Sequence, residues 1–147
     1  TGTRRRFELK GEVSGIKVID DYGHHPTELI VTLKAAKNLA QAGRVLVIFQ
    51  PHRYSRTAAF ANQFSQALSL ADFTYLLEVY AASEKPLPGI SSLLIAKNMS
   101  AQQVKFEPSM LQVVSDVVAM AKSGDVIITL GAGDVSSLGE PILQALA

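Results

Sequence analysis

The chain has 147 residues, with 14 Lys and Arg against 13 Asp and Glu, so its formal net charge is +1. Hydrophobic residues make up 48% of it and charged residues 18%. This balance is typical of one globular domain and excludes a disordered chain. The near-neutral charge argues against a dedicated nucleic-acid-binding protein, which needs a surplus of basic residues on one face.

Two absences in the sequence narrow the class of protein further. The chain contains no cysteine, so disulfide frameworks, thiolate metal sites and thiol nucleophiles are excluded. Its longest apolar runs, such as Val45–Phe49 and Val126–Leu130, are far shorter than the roughly 20 residues that a bilayer-spanning helix needs. We therefore expect no membrane segment and, most simply, a cytoplasmic protein.

Apolar patterning in the first part of the chain predicts strands that alternate with helices. Residues 7–13 alternate apolar and polar side chains, which indicates a half-buried edge strand, and 16–19 form a second strand. Thr27 is the predicted N-cap of a helix that runs to Gly43. Residues 44–49 form an apolar run typical of a strand that is covered on both faces.

The same alternation continues to the end of the chain. Ser55 is predicted to cap a second helix, and Ser109 begins another that Gly124 closes. The remaining predicted elements are a strand at 73–77, a loop at 78–89, a short helix at 90–98, strands at 104–106 and 125–130, a glycine loop at 131–134 and a helix at 136–146.

This order predicts an α/β fold, because parallel strands joined by crossover helices are the usual packing of such a pattern. We expect a Rossmann-like, doubly wound sheet of about five parallel strands, plus an N-terminal edge strand. Residues 1–6 are interpreted as the remnant of a linker, and residues 7–147 as the domain itself.

Candidate functional residues follow the predicted strands, at the sheet edge where open parallel sheets bind ligands. All three histidines of the chain fall in two of these loops. The candidates are Asp20, Asp21, Tyr22, His24 and His25 after the second strand, His52, Arg53, Tyr54 and Arg56 after the third, Glu78 and Tyr80 after the fourth, and Gly131, Gly133 and Asp134 after the last.

The chemistry of two of these loops points to a charged ligand. Aspartate with histidine can hold Mg²⁺ or a ribose hydroxyl, or transfer a proton, and the residue types alone leave these roles open beside that of a polar turn. Arg53 and Arg56, three residues apart, suit a carboxylate or phosphate. Arginines in the first turn of a helix are repelled by the positive end of the helix dipole unless a bound anion offsets their charge. The alternative interpretation is a basic helix start exposed to solvent.

The glycine loop after the last predicted strand has a less definite role. Residues 131–136 resemble the start of a dinucleotide fingerprint, but Ser136 replaces its third glycine. We therefore do not expect NAD binding. The loop can receive an anion or pack against a neighbouring loop. The chain also lacks the Gly-x-x-x-x-Gly-Lys-Ser/Thr phosphate loop, so any nucleoside triphosphate must have its phosphates bound elsewhere.

Three segments together resemble the C-terminal domain of the Mur ligases. They are Asp-Asp-Tyr-Gly-His-His-Pro-Thr-Glu at 20–28, Gln-Pro-His-Arg-Tyr-Ser-Arg-Thr at 50–57 and Leu-Gly-Ala-Gly-Asp at 130–134. Leu-Leu-Glu-Val-Tyr at 76–80 is similar to a further shared stretch. The resemblance covers essentially the whole chain, and within the family it favours the members that act on L-alanine.

The resemblance implies the third domain of a three-domain, ATP-dependent ligase of bacterial peptidoglycan synthesis. Such an enzyme uses ATP and Mg²⁺ to convert the carboxylate of UDP-N-acetylmuramate to an acyl phosphate, which the amine of L-alanine attacks. The N-terminal and central domains would supply the phosphate loop and the Mg²⁺ ligands, so no metal is expected in this domain and the isolated domain should be inactive.

The resemblance also implies a role for each candidate residue. Asp21, or else Asp20, would bind the ATP ribose. Arg53 and Arg56 would bind the alanine carboxylate or stabilise transferring phosphate charge, and His24 would join them as a catalytic residue. The residues that would line the substrate site are Tyr22, His24, His52, Arg53, Arg56, Gly133 and Asp134.

Two other functions compete with the ligase. One is a non-catalytic Rossmann-like module that binds a small anionic ligand or a partner protein through the same loops. The other is an RNA-contacting domain that uses Arg4–Arg6 with the two loop arginines, which a strongly salt-dependent retention of RNA would reveal.

Overall fold

Strands and helices alternate through residues 6–147, the part of the chain that the computed structural model describes. The strands are β1 (Glu8–Val13), β2 (Ile16–Asp21), β3 (Val45–Phe49), β4 (Phe73–Leu76), β5 (Val104–Phe106) and β6 (Val126–Leu130). The helices are α1 (Pro26–Ala40), α2 (Tyr54–Leu68), α3 (Leu93–Ala96), α4 (Met110–Met120) and α5 (Gly139–Leu146). No helix in this part of the chain is long and apolar enough to cross a membrane. Except for Arg6, the predicted linker lies outside the described residues, as does most of the Arg4–Arg6 cluster.

The strands form one sheet in the order β1-β2-β6-β3-β4-β5. Strand β1 pairs antiparallel with β2 at the edge, and the other pairings are parallel. The doubly wound sheet with five parallel strands and an N-terminal edge strand is therefore confirmed. Every residue of β3 and β6 is buried, because these central strands are covered by helices on both faces.

Side chains of β3 alternate between two hydrophobic layers. Val45, Val47 and Phe49 pack in the layer beneath α1 and α2, whereas Leu46 and Ile48 pack in the layer that includes side chains of α4 and α5. This period of two is the expected consequence of strand geometry. The sheet thus holds the ends of its parallel strands at fixed positions, and the loops that follow them share one edge.

Helix α1 begins at a different residue from the one that the sequence predicts. Its N-cap is His25, not Thr27, and Pro26 occupies the first helical position, where its missing N–H costs nothing. His25 Nδ1 accepts a hydrogen bond from the Thr27 N–H at 3.3 Å, and the Glu28 carboxylate accepts one from the His25 N–H at 3.0 Å. This reciprocal capping box replaces the predicted threonine cap.

Other helix boundaries also differ from prediction, and the short helix predicted at 90–98 is confined to α3 (Leu93–Ala96). Helix α2 starts at Tyr54 with Arg53 as its N-cap, not Ser55. The predicted helix at 136–146 is instead a 3-10 helix, Asp134–Leu138, followed by α5. Pro141 explains this break, because a proline inside a continuous helix would lose a hydrogen bond and clash with the preceding turn. Near its start, as in α5, the same proline is tolerated.

Candidate anion-binding edge of the sheet

The loops that follow β2, β3, β4 and β6 meet at one end of the sheet, which we call the carboxyl edge. The His24 and His52 rings lie 5.7 Å apart, and the Tyr22 ring meets the His24 ring edge-on at 5.2 Å. His52 also forms a parallel bridge with Tyr80 of the loop after β4. The predicted meeting of the two histidine-bearing turns is therefore confirmed. His25 instead lies against Phe60 of α2.

Hydrogen bonds assign opposite tautomers to the two facing histidines. His24 Nδ1 lies 3.0 Å from the Tyr22 carbonyl oxygen; a carbonyl only accepts, so this nitrogen carries a proton. His52 Nδ1 lies 3.2 Å from Arg56 Nη1; a guanidinium only donates, so this nitrogen holds a lone pair. In its neutral form, the His24 ring would offer an acceptor at Nε2, and the neutral His52 ring a donor at Nε2.

The surroundings of His52 favour its neutral form. Burial and then the nearby charges of Arg56, His24 and Arg53 lower the pKa of His52 below its ordinary value. The Tyr80 ring stacks on the imidazole with centroids 5.7 Å apart. At neutral pH, His52 thus acts as an uncharged hydrogen-bonding group that also supports the Arg56 guanidinium.

Arg53 and Arg56 lie at the start of α2, which has no acidic residue in its first turn. Arg53 is 47% exposed, and its nearest carboxylate contact is from Nε to Glu84 Oε2 at 4.0 Å. Within residues 6–147, Arg56 makes no ion pair and donates instead to neutral His52. Two permanent cations at a helix N-terminus therefore have much of their charge available to an anionic ligand.

The two adjacent aspartates at the end of β2 have different environments. Both are buried, and Asp20 accepts a hydrogen bond from Thr129 Oγ1 at 2.7 Å. Asp21 accepts N–H groups of Phe7 at 2.8 Å and Gly23 at 2.7 Å. Each Asp21 oxygen retains acceptor capacity beside these bonds, since a carboxylate oxygen has two lone pairs.

Asp21 also lines a cavity of about 390 Å³ beside the start of the domain. Arg6 and Glu28 flank it, and the two side chains form an ion pair. Partial burial acts to raise the pKa of Glu28, but the N–H groups of His24 and His25 and the Arg6 guanidinium together lower it to about 2. The other lining residues are Phe7, Thr27, Val31, Thr32 and Ala35.

The glycine loop after β6 packs against the loop after β3. Gln50 donates from Nε2 to Asp134 Oδ1 at 2.6 Å, and its Oε1 accepts the Val135 N–H at 3.1 Å. A Cβ at Gly133 would collide with the Gln50 side-chain oxygen and the Tyr80 ring. Gly133 is therefore required for close approach, and its loop lies beside the ring that stacks on His52.

The aspartates and histidines of the carboxyl edge are the candidates for a metal site. Within the described residues, no group of three His, Asp or Glu side chains is arranged to hold a metal ion. Asp20, whose carboxylate already accepts the Thr129 hydroxyl, does not combine with Asp21 and the histidines into such a site. Tyr80, which the sequence already indicates as a candidate, stacks on His52, and Gln50 binds the glycine loop. No sequence pattern reveals either contact.

Residues 5–133 match the protein family described as Mur ligase, glutamate ligase domain. The UDP-N-acetylmuramate–L-alanine ligase of Mycolicibacterium smegmatis is 51% identical over 147 residues, covering 99% of this chain and 30% of that protein. The enzyme of the same name from Rhodococcus erythropolis is 48% identical over 156 residues, covering 99% of this chain and 31% of that protein.

A solved structure agrees with these sequence matches. The crystal structure of UDP-N-acetylmuramate-alanine ligase from Thermotoga maritima superposes with a TM-score of 0.77 at 26% identity, over 95% of this chain and 29% of that one. The chain thus spans less than a third of the length of the relatives that it matches. With most of its length matched by the family and its fold shared with a solved member, the chain belongs to the Mur ligases, through their glutamate ligase domain.

Proposed function

We propose that this chain is the C-terminal domain of an ATP-dependent ligase that joins L-alanine to UDP-N-acetylmuramate in peptidoglycan synthesis. One observation carries the proposal: Arg53 and Arg56 begin a helix beside the facing histidines, and Arg56 has no carboxylate partner within residues 6–147. The names and the similarity of the relatives support a ligase over a non-catalytic binding module.

In this proposal the two arginines bind an anionic reactant. A guanidinium forms two parallel hydrogen bonds with a carboxylate and remains charged at any working pH. The carboxylate of L-alanine fits this chemistry, and so does the charge that develops on the phosphate as it leaves the acyl carbon. Fixed cations at developing negative charge are usually a large part of catalysis.

His24 and Tyr22 form the wall of the proposed amino-acid pocket. The amine of L-alanine loses a proton as it forms the new amide bond, and in the tautomer that the Tyr22 contact assigns, Nε2 of His24 is the nitrogen that could accept it. His52 offers the complementary Nε2–H donor. The proposal also assigns Gly133 and Asp134 to the substrate border, which their packing on Gln50 and Tyr80 supports.

We assign the ATP ribose to Asp21. Its carboxylate lines the cavity at the start of the domain and retains lone pairs for ribose hydroxyls. Asp20 does not line this cavity, and its carboxylate accepts the Thr129 hydroxyl. In this proposal ATP phosphates and Mg²⁺ bind mostly to the central domain, as the resemblance to the Mur ligases implies. Use of ATP and a nucleotide sugar would put the reaction in the cytoplasm.

The test is a coupled assay of the full-length protein that carries this domain. We expect ADP release that requires both UDP-N-acetylmuramate and L-alanine. ADP release in the absence of both the amino acid and the nucleotide sugar would contradict the proposal. ADP release only with a different pair of substrates would also contradict it.

Calorimetry on the 147-residue chain alone tests the proposal that the ATP phosphates bind mostly to the central domain. We expect no turnover and ATP binding that is millimolar or undetectable, because the phosphate loop is absent from this sequence. A micromolar dissociation constant would show that this domain binds the phosphates itself.

A further inference from the structure

The N-terminus of α2 is capped from outside the helix. Its N-cap residue, Arg53, makes no side-chain capping hydrogen bond. The Glu84 carboxylate, from the loop after β4, accepts the Ser55 N–H at 3.1 Å and the Ser55 hydroxyl. It also lies 4.0 Å from Arg53 Nε. A residue distant in sequence thus supplies the negative charge that the first turn of α2 lacks.

Backbone strain is concentrated on both sides of this contact. Arg53 has φ 73° and ψ 137°, while Ala82 and Ser83, directly before Glu84, have φ 50° and 73°. Side chains other than glycine rarely adopt these conformations, which persist only where surrounding contacts impose them. Because such residues cluster at functional sites, the strained backbone on both sides of the Glu84 contact indicates a functional role for this contact.

The loops after β3 and β4 are joined at a second point. The Arg53 N–H donates to the Tyr80 carbonyl at 2.7 Å, and the Tyr80 N–H donates to the Pro51 carbonyl at 2.8 Å. Together with the Glu84 contact, these bonds hold the turn that carries His52 and Arg53 against the loop after β4. Arg56 is in the first turn of α2, so its direction depends on the same attachment.

We propose that Glu84 is a positioning residue for the anion-binding arginines. Its carboxylate fixes the first turn of α2 and engages the Nε side of Arg53, so that the terminal N–H groups of the guanidinium are directed to the ligand. It also offsets the repulsion between two arginines and the positive end of the helix dipole when no anion is bound. The inference rests on the proposed function, since it assumes that Arg53 and Arg56 bind the carboxylate of the amino acid.

Glu107 provides a matched control at the start of α4. Its carboxylate accepts the Ser109 N–H at 3.1 Å, next to a strand of the same sheet, and its side chain is 19% exposed compared with 21% for Glu84. Its neighbour is Lys105, not a loop arginine. Replacing Glu107 therefore perturbs a helix start in a similar way without touching the arginine site.

The kinetic test compares E84A, E84Q and E107A in the full-length ligase. We expect E84A to raise KM for L-alanine at least tenfold while KM for ATP changes less than twofold. E84Q keeps an acceptor for the Ser55 N–H and loses the charge, so it should fall between E84A and wild type. E107A should leave both constants within twofold. Equal effects of E84A and E107A, or a KM for L-alanine unchanged in E84A, would overturn the inference.

Amide hydrogen exchange in the 147-residue chain separates this inference from the proposed function. E84A should accelerate exchange at residues 54–56 at least tenfold and leave the first turn of α4 unchanged, with E107A showing the reverse. Unchanged exchange at residues 54–56 would overturn the positioning role even if the enzyme ligates L-alanine. If the wild-type enzyme does not ligate L-alanine, the proposed function fails, and the exchange result still decides whether Glu84 orders the arginine turn.

Discussion

Charged residues cluster at both edges of the sheet, but the two edges use them differently. At the edge where the parallel strands begin, which we call the amino edge, Arg44 pairs with Asp125 at 2.8 Å and Lys37 pairs with Asp72 at 3.0 Å. At the carboxyl edge, Arg56 donates to a neutral histidine and Arg53 makes one long contact. Cations paired within the protein stabilise the fold, whereas cations without close carboxylates are available to a ligand.

The amino edge shows how complete such internal pairing can be. Asp125 is only 3% exposed, and its oxygens accept the N–H groups of Arg44 at 2.9 Å and Lys122 at 2.8 Å besides the Arg44 guanidinium. The same guanidinium donates to the Met120 carbonyl. This network ties the beginnings of β3 and β6 to the end of α4, so we interpret it as structural.

The largest expected effect comes from removing a cation at the carboxyl edge. R53A or R56A in the full-length ligase should lower kcat/KM for L-alanine by about 10²-fold or more, because a charge-assisted contact with the reactant is lost. Steady-state kinetics measure this, and thermal unfolding should show little change in Tm. Near-normal kinetics in both variants would remove the two arginines from the mechanism.

Removing a paired charge at the amino edge should lower the free energy of unfolding and leave the catalytic activity unchanged. D125A removes hydrogen bonds to a charged acceptor and leaves two N–H groups without it, which should cost about 2 kcal/mol of unfolding free energy at neutral pH. Urea denaturation of the chain measures the loss. A loss of activity in the folded variant as large as that of R56A would contradict the contrast between the edges.

The pH dependence of stability gives a second measurement on the same variant. Burial acts to raise the pKa of Asp125, but the Arg44 side chain and the N–H groups of Arg44 and Lys122 hold it below the ordinary value. Its contribution is therefore fully present above the pKa of an unfolded aspartate, about 4, and is lost as the pH falls through the folded value. The difference between wild type and D125A should shrink below about pH 4; a constant difference would contradict the assigned cause.

Much of the carboxyl edge could be predicted from the sequence because topology alone brings it together. Strands followed by polar loops share an edge once the sheet is parallel, so the meeting of His24 and His52 follows from the order of elements. The difference between Asp20 and Asp21 does not follow, because it depends on which face of β2 each side chain joins and on contacts with Thr129 and Phe7.

Long-range contacts explain the remaining errors. Thr27 and Ser55 are reasonable N-caps by local preference, but a capping box at His25 and an external carboxylate at Glu84 replaced them. Nothing in the periodicity of residues 78–89 reveals that Glu84 reaches α2, since loops carry no repeating pattern. The break before α5 differs, because Pro141 is a local signal that the predicted helix ignored.

The smallest expected effect lies between the two edges, in the interior of the sheet. Among the described residues, Thr74 Oγ1 is the buried side-chain oxygen or nitrogen without a hydrogen-bond partner. Because T74V replaces this hydroxyl with a methyl group of similar size, it should raise the unfolding free energy by about 1 kcal/mol. Thr129 is the matched control: it is equally buried, but its hydroxyl donates to Asp20 at 2.7 Å, so T129V should destabilise the chain. Urea denaturation distinguishes the two. A T74V variant destabilised as much as T129V would show that polar contacts extend through the interior and are not confined to the edges.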